Sequence, residues 1–293
     1  MNYAIENDKL KVLISTRGAE LQSIYGKTTN FEYLWQGKEP FWKNRATNVF
    51  PICGRLFDGK YTYNNNSYEL SCHGFVGKQE FVVVNFSRTK IKLKLTANEE
   101  TKKIYPFDFA FTVDYTLKGS TLKTEYHVEN MGEEDLPFTL GGHPGFNVPL
   151  AENLEFSDHY LEFSNKCTAK RLVFSETCFY TGEKAPFSLK ECKKIPLKHS
   201  MFNKDAIFLY GTDKTITLKS DEAERFVKVS FPDMNYVGFW HNPKTKAPFI
   251  CIEPWMGVPG LDGVIEDFST KQEMIRLAKG GTYVNGFEIE VNE

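Results

Sequence analysis

Apolar and polar side chains alternate with a period of two along much of this sequence. The longest alternating runs span residues 109–118 and 122–129, and shorter ones span 91–95, 227–231 and 287–291. Successive side chains of a β-strand point to opposite faces of the sheet, so this alternation predicts strands with one buried and one solvated face. Strands of that kind are typical of antiparallel sheets.

Turn-forming residues interrupt these runs at short intervals, as at residues 64–66 and 118–120. Helical periodicity is nearly absent, and its best candidate is a short stretch from Val264 to Phe268. Strands of ~5–6 residues would number about twenty over this length, more than an immunoglobulin sandwich holds. Because no repeat or linker divides the chain, we expect one all-β domain over residues 1–293, a large antiparallel β-sandwich with little helix.

The overall composition fits a globular protein and excludes several kinds of partner. Apolar residues make up 41% of the chain, enough for a sizeable core, and the net charge is −2. A charge so close to zero predicts no binding to nucleic acid or to anionic membranes. Aromatic residues reach 15%, and such side chains favour strands and also line sugar-binding clefts.

The cysteines and the first residues bear on the compartment. Residues 1–8 show neither a basic segment nor an apolar one, so no secretory signal is predicted, and no apolar run approaches the ~18 residues of a membrane helix. The six cysteines include no C-x-x-C pair, and a chain of this size needs no disulfide framework. These features predict free thiols and a cytoplasmic location.

The familiar cofactor and metal signatures are missing. No H-x-x-x-H pair or acidic calcium loop occurs, and neither do the serine-hydrolase elbow, the phosphate-binding loop and the dinucleotide-binding glycine pattern. We therefore expect no cofactor and no metal ligands.

One histidine stands in an unusual setting. The segment of residues 139–146 reads Thr-Leu-Gly-Gly-His-Pro-Gly-Phe and places His143 between glycines and a proline. Glycine permits close backbone approach and proline fixes φ, so we expect His143 to be held rigidly at the end of a strand. The alternative is a histidine that only caps a turn or fills space.

A glutamate follows a second apolar segment. Glu253 comes after the apolar run of residues 248–252, and Pro254 and Trp255 come next. We expect a buried strand that ends at Pro254, with the carboxyl partly desolvated beside tryptophan. Desolvation raises a carboxyl pKa and makes the group a better base near neutral pH. The alternative is a glutamate paired with a lysine or arginine.

Three further polar residues lie beside turns. Arg55 follows Gly54, His73 precedes Gly74, and Asp205 lies just ahead of an apolar strand at residues 207–210. An arginine can orient a hydroxyl group through its fork of donors. Each residue also has a structural alternative: an ion pair for Arg55, a core or turn histidine for His73, and a turn or cap residue for Asp205.

Together these segments resemble the aldose 1-epimerase (mutarotase) family, and most closely its LacX-like bacterial branch. The matching pieces occur in the family order and span nearly the whole chain; they are residues 48–56, His73-Gly-Phe75, His143-Pro-Gly-Phe146, Asn203-Lys-Asp205-Ala206 and Ile252-Glu253-Pro-Trp255. The resemblance implies a galactose-mutarotase-like β-supersandwich with a sugar cleft. It also implies Glu253 as base, His143 as acid, and Arg55, His73 and Asp205 as contacts to sugar hydroxyls.

The resemblance has one departure, which bears on the sugar. Galactose enzymes of the family resemble a His-x-Tyr-Phe-Asn pattern, whereas this chain has Gly145 at the tyrosine position.

A tryptophan is expected to stack on the apolar face of the sugar. The candidates are Trp240 and Trp255, with burial in the core as the alternative.

Three functions stay open at this point. The first is epimerisation of a free hexose, a reaction that an acid and a base suffice to catalyse. The second is a hexose-6-phosphate 1-epimerase, which would need cationic side chains at the cleft. The third is a sugar-binding or sensing domain on the same fold. The partner in all three is a small sugar, and the sequence leaves its identity and the oligomeric state open.

Overall fold

The computed structural model of the chain describes residues 1–292, and its regular secondary structure is mostly β-strand. The predicted all-β fold is confirmed. In chain order the strands are β1 (Asn2–Glu6), β2 (Leu10–Ser15), β3 (Leu21–Gly26), β4 (Phe31–Glu32), β5 (Ala46–Val49), β6 (Lys60–Tyr63), β7 (Asn66–Glu69), β8 (Val82–Ser87), β9 (Lys90–Thr96), β10 (Phe109–Lys118), β11 (Thr121–Asn130), β12 (Leu136–Phe138), β13 (Gly141–Asn147), β14 (Tyr160–Phe163), β15 (Lys170–Phe174), β16 (Tyr180–Pro186), β17 (Lys194–Pro196), β18 (Ile207–Tyr210), β19 (Thr215–Ser220), β20 (Ala223–Ser230), β21 (Tyr236–Trp240), β22 (Phe249–Trp255), β23 (Ile275–Leu277) and β24 (Thr282–Val291).

Among residues 1–292, helix is limited to one short α-helix, α1 (Glu99–Ile104), and four 3₁₀ turns, at Phe57–Gly59, Val76–Lys78, Phe156–Asp158 and His199–Phe202. The predicted helix at 264–268 is wrong, because that segment is an irregular loop whose Phe268 packs on Tyr61. The helix forms at α1 instead, where Asn98 caps the first turn through its side chain. Within the described residues, no helix is long and apolar enough to cross a membrane.

Two large antiparallel sheets face each other across the core. The nine-stranded sheet has the order β17-β14-β19-β20-β24-β11-β10-β9-β8, and the seven-stranded sheet has the order β16-β15-β18-β21-β22-β13-β5. One cluster of buried apolar side chains contains residues of both. Polar contacts also join them, since the Tyr126 hydroxyl on β11 donates to Oδ1 of Asn48 on β5 over 2.8 Å.

The alternation in β10 does not produce a solvated face as predicted. Ala110, Thr112 and Asp114 are all buried, although the pattern places them opposite the core. Lys90 and Lys92 of the neighbouring β9 cover this face, and Nζ of each lies 3.2 Å from Oδ2 of Asp114. The aliphatic stems of lysine side chains can cover apolar surface while their charges stay hydrated. Side chains of β9 therefore cover the face of β10 that the alternation predicted to be solvated.

His143 and Glu253 lie on neighbouring strands, β13 and β22, near the β5 edge of the seven-stranded sheet. Strands β13 and β22 pair at Gly141 with Trp255 and at Gly145 with Cys251, but the residues between these points form no ladder pairs. The same register places His143 opposite Glu253. Pro144 and Pro254 have no N–H to donate, which suits an interruption of the ladder.

Two predicted strand ends are therefore wrong. Strand β22 continues through Pro254 to Trp255, and His143 lies within β13 rather than at its end. Proline is accommodated here because the ladder is open at that point. The rigid mounting expected for His143 comes from the sheet itself.

Candidate active site

A cleft of about 290 Å³ opens over the seven-stranded sheet. All seven residues proposed from the sequence line it: Glu253, His143, Arg55, His73, Asp205, Trp240 and Trp255. Its remaining wall is formed by Trp42, Gly54, Cys72, Phe174, Cys178, Ala206, Phe208 and Pro259. Mixed polar and aromatic lining of this kind is typical of small-molecule sites.

The floor of the cleft holds a histidine and a glutamate side by side. Nε2 of His143 lies 3.4 Å from Oε2 of Glu253. Both side chains are buried, with 6% and 1% of their surface exposed. Nδ1 of His143 and Oε1 of Glu253 have no hydrogen-bond partner among the described residues. Buried polar atoms are usually paired, so these two atoms are available to a ligand.

Burial moves both side chains of this pair toward their neutral forms. It raises the pKa of Glu253 well above its usual value, and the negative charge of Asp205 acts in the same direction. It lowers the pKa of His143 well below its usual value, and the nearby His73 ring acts in the same direction. Desolvation is the main cause in each case, since the charged form loses most from burial. One proton is therefore held between an acid and a base with opposite shifts, an arrangement suited to proton transfer.

The second histidine is oriented by the backbone of the turn that follows β5. His73 has a positive φ of 64°, and its N–H donates to the Gly54 carbonyl over 2.8 Å. The Gly54 N–H donates in return to Nδ1 of His73 over 3.3 Å. Burial, together with the charge of Arg55, lowers the pKa of His73 to about 4. The ring is then neutral at pH 7 with its proton on Nε2, and that N–H can serve as a donor to a ligand.

Asp205 links two other side chains of the cleft. Its Oδ2 accepts a hydrogen bond from Arg55 over 3.2 Å, and its Oδ1 accepts one from Nε1 of Trp240 over 2.9 Å. Asp205 has a φ of 84° just before β18. The ion pair expected as an alternative role for Arg55 is present, but it lies inside the cleft, where 45% of the arginine side chain is exposed. The guanidinium can therefore also contact a ligand.

Comparison with known proteins agrees with this geometry. The family model described as aldose 1-epimerase matches residues 1–266. The chromosomal protein LacX of Lactococcus lactis subsp. lactis is 32% identical over 267 residues, which cover 88% of each chain. The chain belongs to the aldose 1-epimerase family. Its members are isomerases that interconvert the α and β anomers of an aldose, as the resemblance seen in the sequence implied.

Solved structures of similar proteins extend the match to the whole fold. A galactose mutarotase related enzyme from Lactobacillus acidophilus is 34% identical, with a TM-score of 0.94 over 100% of this chain and 98% of that one. A galactose mutarotase-like protein from Lactobacillus casei is 30% identical, with a TM-score of 0.93 over 100% of both chains. The epimerase described here thus has the galactose mutarotase-like fold.

The sequence did not single out Trp42, which lines the cleft of this epimerase. Its ring lies 4.8 Å from the His143 ring, at an angle of 33°. Gly145 makes this possible, because a Cβ there would lie 3.3 Å from the Trp42 ring and 3.2 Å from Cβ of Trp35. Trp42 thus takes space that a side chain at position 145 would need. A clue in the sequence is that a large residue is absent at 145, but nothing there shows which residue fills the gap.

The two tryptophans proposed from the sequence differ in their surroundings. Trp240 is partly exposed, and its ring stands at 77° to that of His143 with the centroids 5.8 Å apart. Trp255 is only 2% exposed, and its ring packs on Phe208 with the centroids 4.2 Å apart. Trp240 and Trp42 are therefore the partly exposed tryptophans of the cleft, and Trp255 packs as a core residue.

A second cavity adjoins the cleft of the epimerase. It measures about 470 Å³ and shares Trp42, Cys72, His73 and His143 with the first. Its own lining is mostly polar and includes two cationic side chains, those of Arg17 and Lys78.

The described residues contain one group that could hold a metal ion. Ligand atoms of His143, Cys251 and Glu253 lie within 4.8 Å of one another, and all three residues are buried. The sequence predicted no metal ligands because it contains no spaced histidine motif. These three residues come together only through the pairing of β13 with β22.

Proposed function

We propose that this epimerase acts on a free hexose, with Glu253 as the base and His143 as the acid. The observation that carries the proposal is the 3.4 Å separation of Oε2 and Nε2 at the floor of a polar cleft. A carboxyl and an imidazole in contact can remove one proton and supply another in a single step. In each group one atom, Oε1 of Glu253 or Nδ1 of His143, has no hydrogen-bond partner in the described part of the chain.

The proposed reaction begins with opening of the sugar ring. Glu253 removes the proton of the anomeric hydroxyl, C1 and its oxygen form a carbonyl, and the bond from C1 to the ring oxygen breaks. His143 protonates that ring oxygen. Rotation about the bond between C1 and C2 then presents the other face of the aldehyde, and the same steps in reverse close the ring as the opposite anomer.

The protonation states follow from this scheme. Ring opening starts with a carboxylate and an imidazolium and leaves a neutral acid and a neutral imidazole. The second state is the one that burial favours, so the site is electrostatically suited to the open-chain intermediate. The ion pair forms from the neutral pair when the carboxyl proton of Glu253 moves to Nε2 of His143 across 3.4 Å. A hydrogen bond that the anomeric hydroxyl donates to Glu253 favours the carboxylate.

The remaining residues are assigned to the sugar hydroxyls. Arg55 and the Nε2–H of His73 serve as donors, and the Asp205 carboxylate serves as an acceptor that also keeps Arg55 and Trp240 in place. Trp42 and Trp240 provide aromatic faces for the apolar side of the ring. Two protons move and no electron is transferred, so the scheme calls for no cofactor. We also propose a cytoplasmic location, which the six free cysteines support.

A second candidate substrate is a hexose 6-phosphate. Its support is the adjoining cavity, where Arg17 and Lys78 are exposed and form no ion pair within residues 1–292. Lys78 only donates a hydrogen bond to Ser71 over 3.3 Å. A phosphate group extending from the sugar past His73 could be bound by both cations.

The decisive experiment measures anomer exchange by NMR for a panel of free hexoses and their 6-phosphates. The primary proposal predicts catalysed exchange of a free hexose that is unchanged in the double variant Arg17→Ala, Lys78→Ala. The second candidate predicts preference for the phosphate, and that preference should disappear in the double variant. A protein that binds a sugar tightly without accelerating exchange would be a sugar-binding domain instead, and the proposal would be wrong.

A further inference from the structure

A buried cysteine lies next to the proposed acid and base, and the reaction scheme does not use it. Cys251 and Glu253 are two residues apart on β22, so their side chains are on the same face of the sheet. His143 on β13 lies opposite Glu253 in the register of the pair. Gly145 lies opposite Cys251 in the same strand pair, and a Cβ at that position would lie 3.4 Å from Sγ of Cys251.

The three side chains offer a nitrogen, a sulfur and an oxygen within 4.8 Å of one another. Imidazole, thiolate and carboxylate are the ligand types that Zn²⁺ takes in proteins. Magnesium and calcium prefer oxygen ligands alone, so sulfur and nitrogen select against them. Tetrahedral zinc ligands at 2.0–2.3 Å from the ion lie about 3.3–3.8 Å apart, so the three side chains must close in by roughly 1 Å.

His143, Cys251 and Glu253 have atoms that are not used in other bonds. Oε1 of Glu253 and Nδ1 of His143 have no partner within residues 1–292. The Cys251 thiol forms no disulfide. His143 and Glu253 line the cleft, while Cys251 lies beneath it in a small apolar cluster with Trp35, Ala247 and Phe249. An ion entering through the cleft would therefore meet three protein ligands and keep its fourth position toward the cleft, which a water or a sugar oxygen can fill.

We propose that His143, Cys251 and Glu253 form a binding site for Zn²⁺, and that the bound ion inhibits the enzyme. Binding forms bonds from zinc to one atom of each residue and releases the Cys251 thiol proton, together with the carboxyl proton where Glu253 carries it, to the solvent. The proposed acid and base are then both ligands, so neither can exchange a proton with the sugar. The inhibitory effect depends on the proposed function, whereas metal binding itself does not.

The first experiment detects the metal directly. Co²⁺ replaces Zn²⁺ in such sites and shows a near-ultraviolet charge-transfer band only when a thiolate is a ligand. We expect this band in the wild type and in Cys72→Ser, which alters the exposed cysteine of the same cleft, and we expect its loss in Cys251→Ser. Cys251→Ala serves as a second variant in case a hydroxyl is poorly tolerated in the apolar cluster. No band in the wild type, or a band that survives both substitutions at 251, would overturn the site.

The second experiment measures inhibition of anomer exchange by Zn²⁺. We expect the wild type to lose activity, saturating sugar to protect it and a chelator to restore it. Because removal of a group that merely supports a metal ligand costs 10–100-fold in affinity, loss of the Cys251 ligand should raise the half-inhibiting Zn²⁺ concentration by at least about tenfold. Cys251→Ser should keep its activity without zinc. Equal zinc sensitivity in both proteins would refute inhibition at this site, and if the protein catalysed no exchange at all, the cobalt spectrum would still decide whether the metal binds.

Discussion

Replacing the proposed base and acid, singly and together, tests the mechanism most directly. Glu253→Gln keeps the size of the side chain and removes its proton-accepting oxygen, and His143→Asn removes the ring. General acid or base catalysis contributes ~10²–10⁴-fold, which corresponds to roughly 3–5 kcal/mol of transition-state stabilisation for each residue. We expect each single variant to lose kcat by a factor in this range.

The double variant is more informative, because the structure predicts how the two losses combine. Independent residues would multiply their losses to ~10⁴–10⁸. Nε2 of His143 and Oε2 of Glu253 are 3.4 Å apart, and both act on one ring opening. Without either partner the step cannot proceed in concert, so the double variant should lose about as much as the worse single variant. The coupling energy would then be about 3–5 kcal/mol.

The assay is the rate of anomer exchange by NMR or polarimetry, measured above the uncatalysed rate. Circular dichroism and thermal melting establish that each variant is folded. Glu32→Gln is a matched control, since Glu32 is a partly buried carboxyl on β4 that does not line the cleft, and it should leave kcat unchanged. Near-normal kcat in Glu253→Gln would exclude this residue as the base, and multiplied losses in the double variant would refute the concerted step.

Three other results are expected. Glu253→Gln should raise the free energy of unfolding, and by more at pH 7 than at pH 5. The Glu253 carboxyl ionises near pH 4.5 in the unfolded chain, whereas burial raises its pKa in the folded protein. The wild type therefore loses stability as pH rises from the unfolded pKa to the folded pKa, by up to about 1.4 kcal/mol per pH unit. Urea unfolding of both proteins at both pH values checks this, and the same stability difference at pH 5 and pH 7 would contradict it. Trp42→Ala should raise KM by roughly tenfold through loss of ~1–2 kcal/mol of apolar contact, and an unchanged KM in steady-state kinetics would remove Trp42 from the sugar site. Because both large sheets contribute to one core cluster, calorimetry should show a single unfolding transition, while proteolysis into two stable halves would argue against the single domain.

Gly145, the one position that departs from the family pattern, affects the wall of the cleft. The departure concerns one position, but its effect extends to Trp42, whose ring lies against His143 where a side chain at 145 would need space. Trp42 also lies where the cleft meets the adjoining cavity, since it lines both. This residue is therefore a natural target for changing the sugar that the enzyme accepts.

The fold class could be predicted from the sequence alone, because alternation of side chains along a strand is a local property of the backbone. The runs at 109–118 and 122–129 lie within β10 and β11, and the five matching segments identified the family. The sequence could not show that Lys90 and Lys92 cover Asp114, or that β22 continues past Pro254, since both depend on what the neighbouring strand offers.

The site itself was decided by tertiary structure. Arg55 and Asp205 are 150 residues apart in sequence and form one ion pair in the cleft. Trp42 lies in a segment without regular pattern, and Cys251 joins His143 and Glu253 only through the register of β13 with β22. The pKa shifts of His143 and Glu253 have the same origin, because desolvation depends on the whole surrounding core rather than on the adjacent residues in the chain.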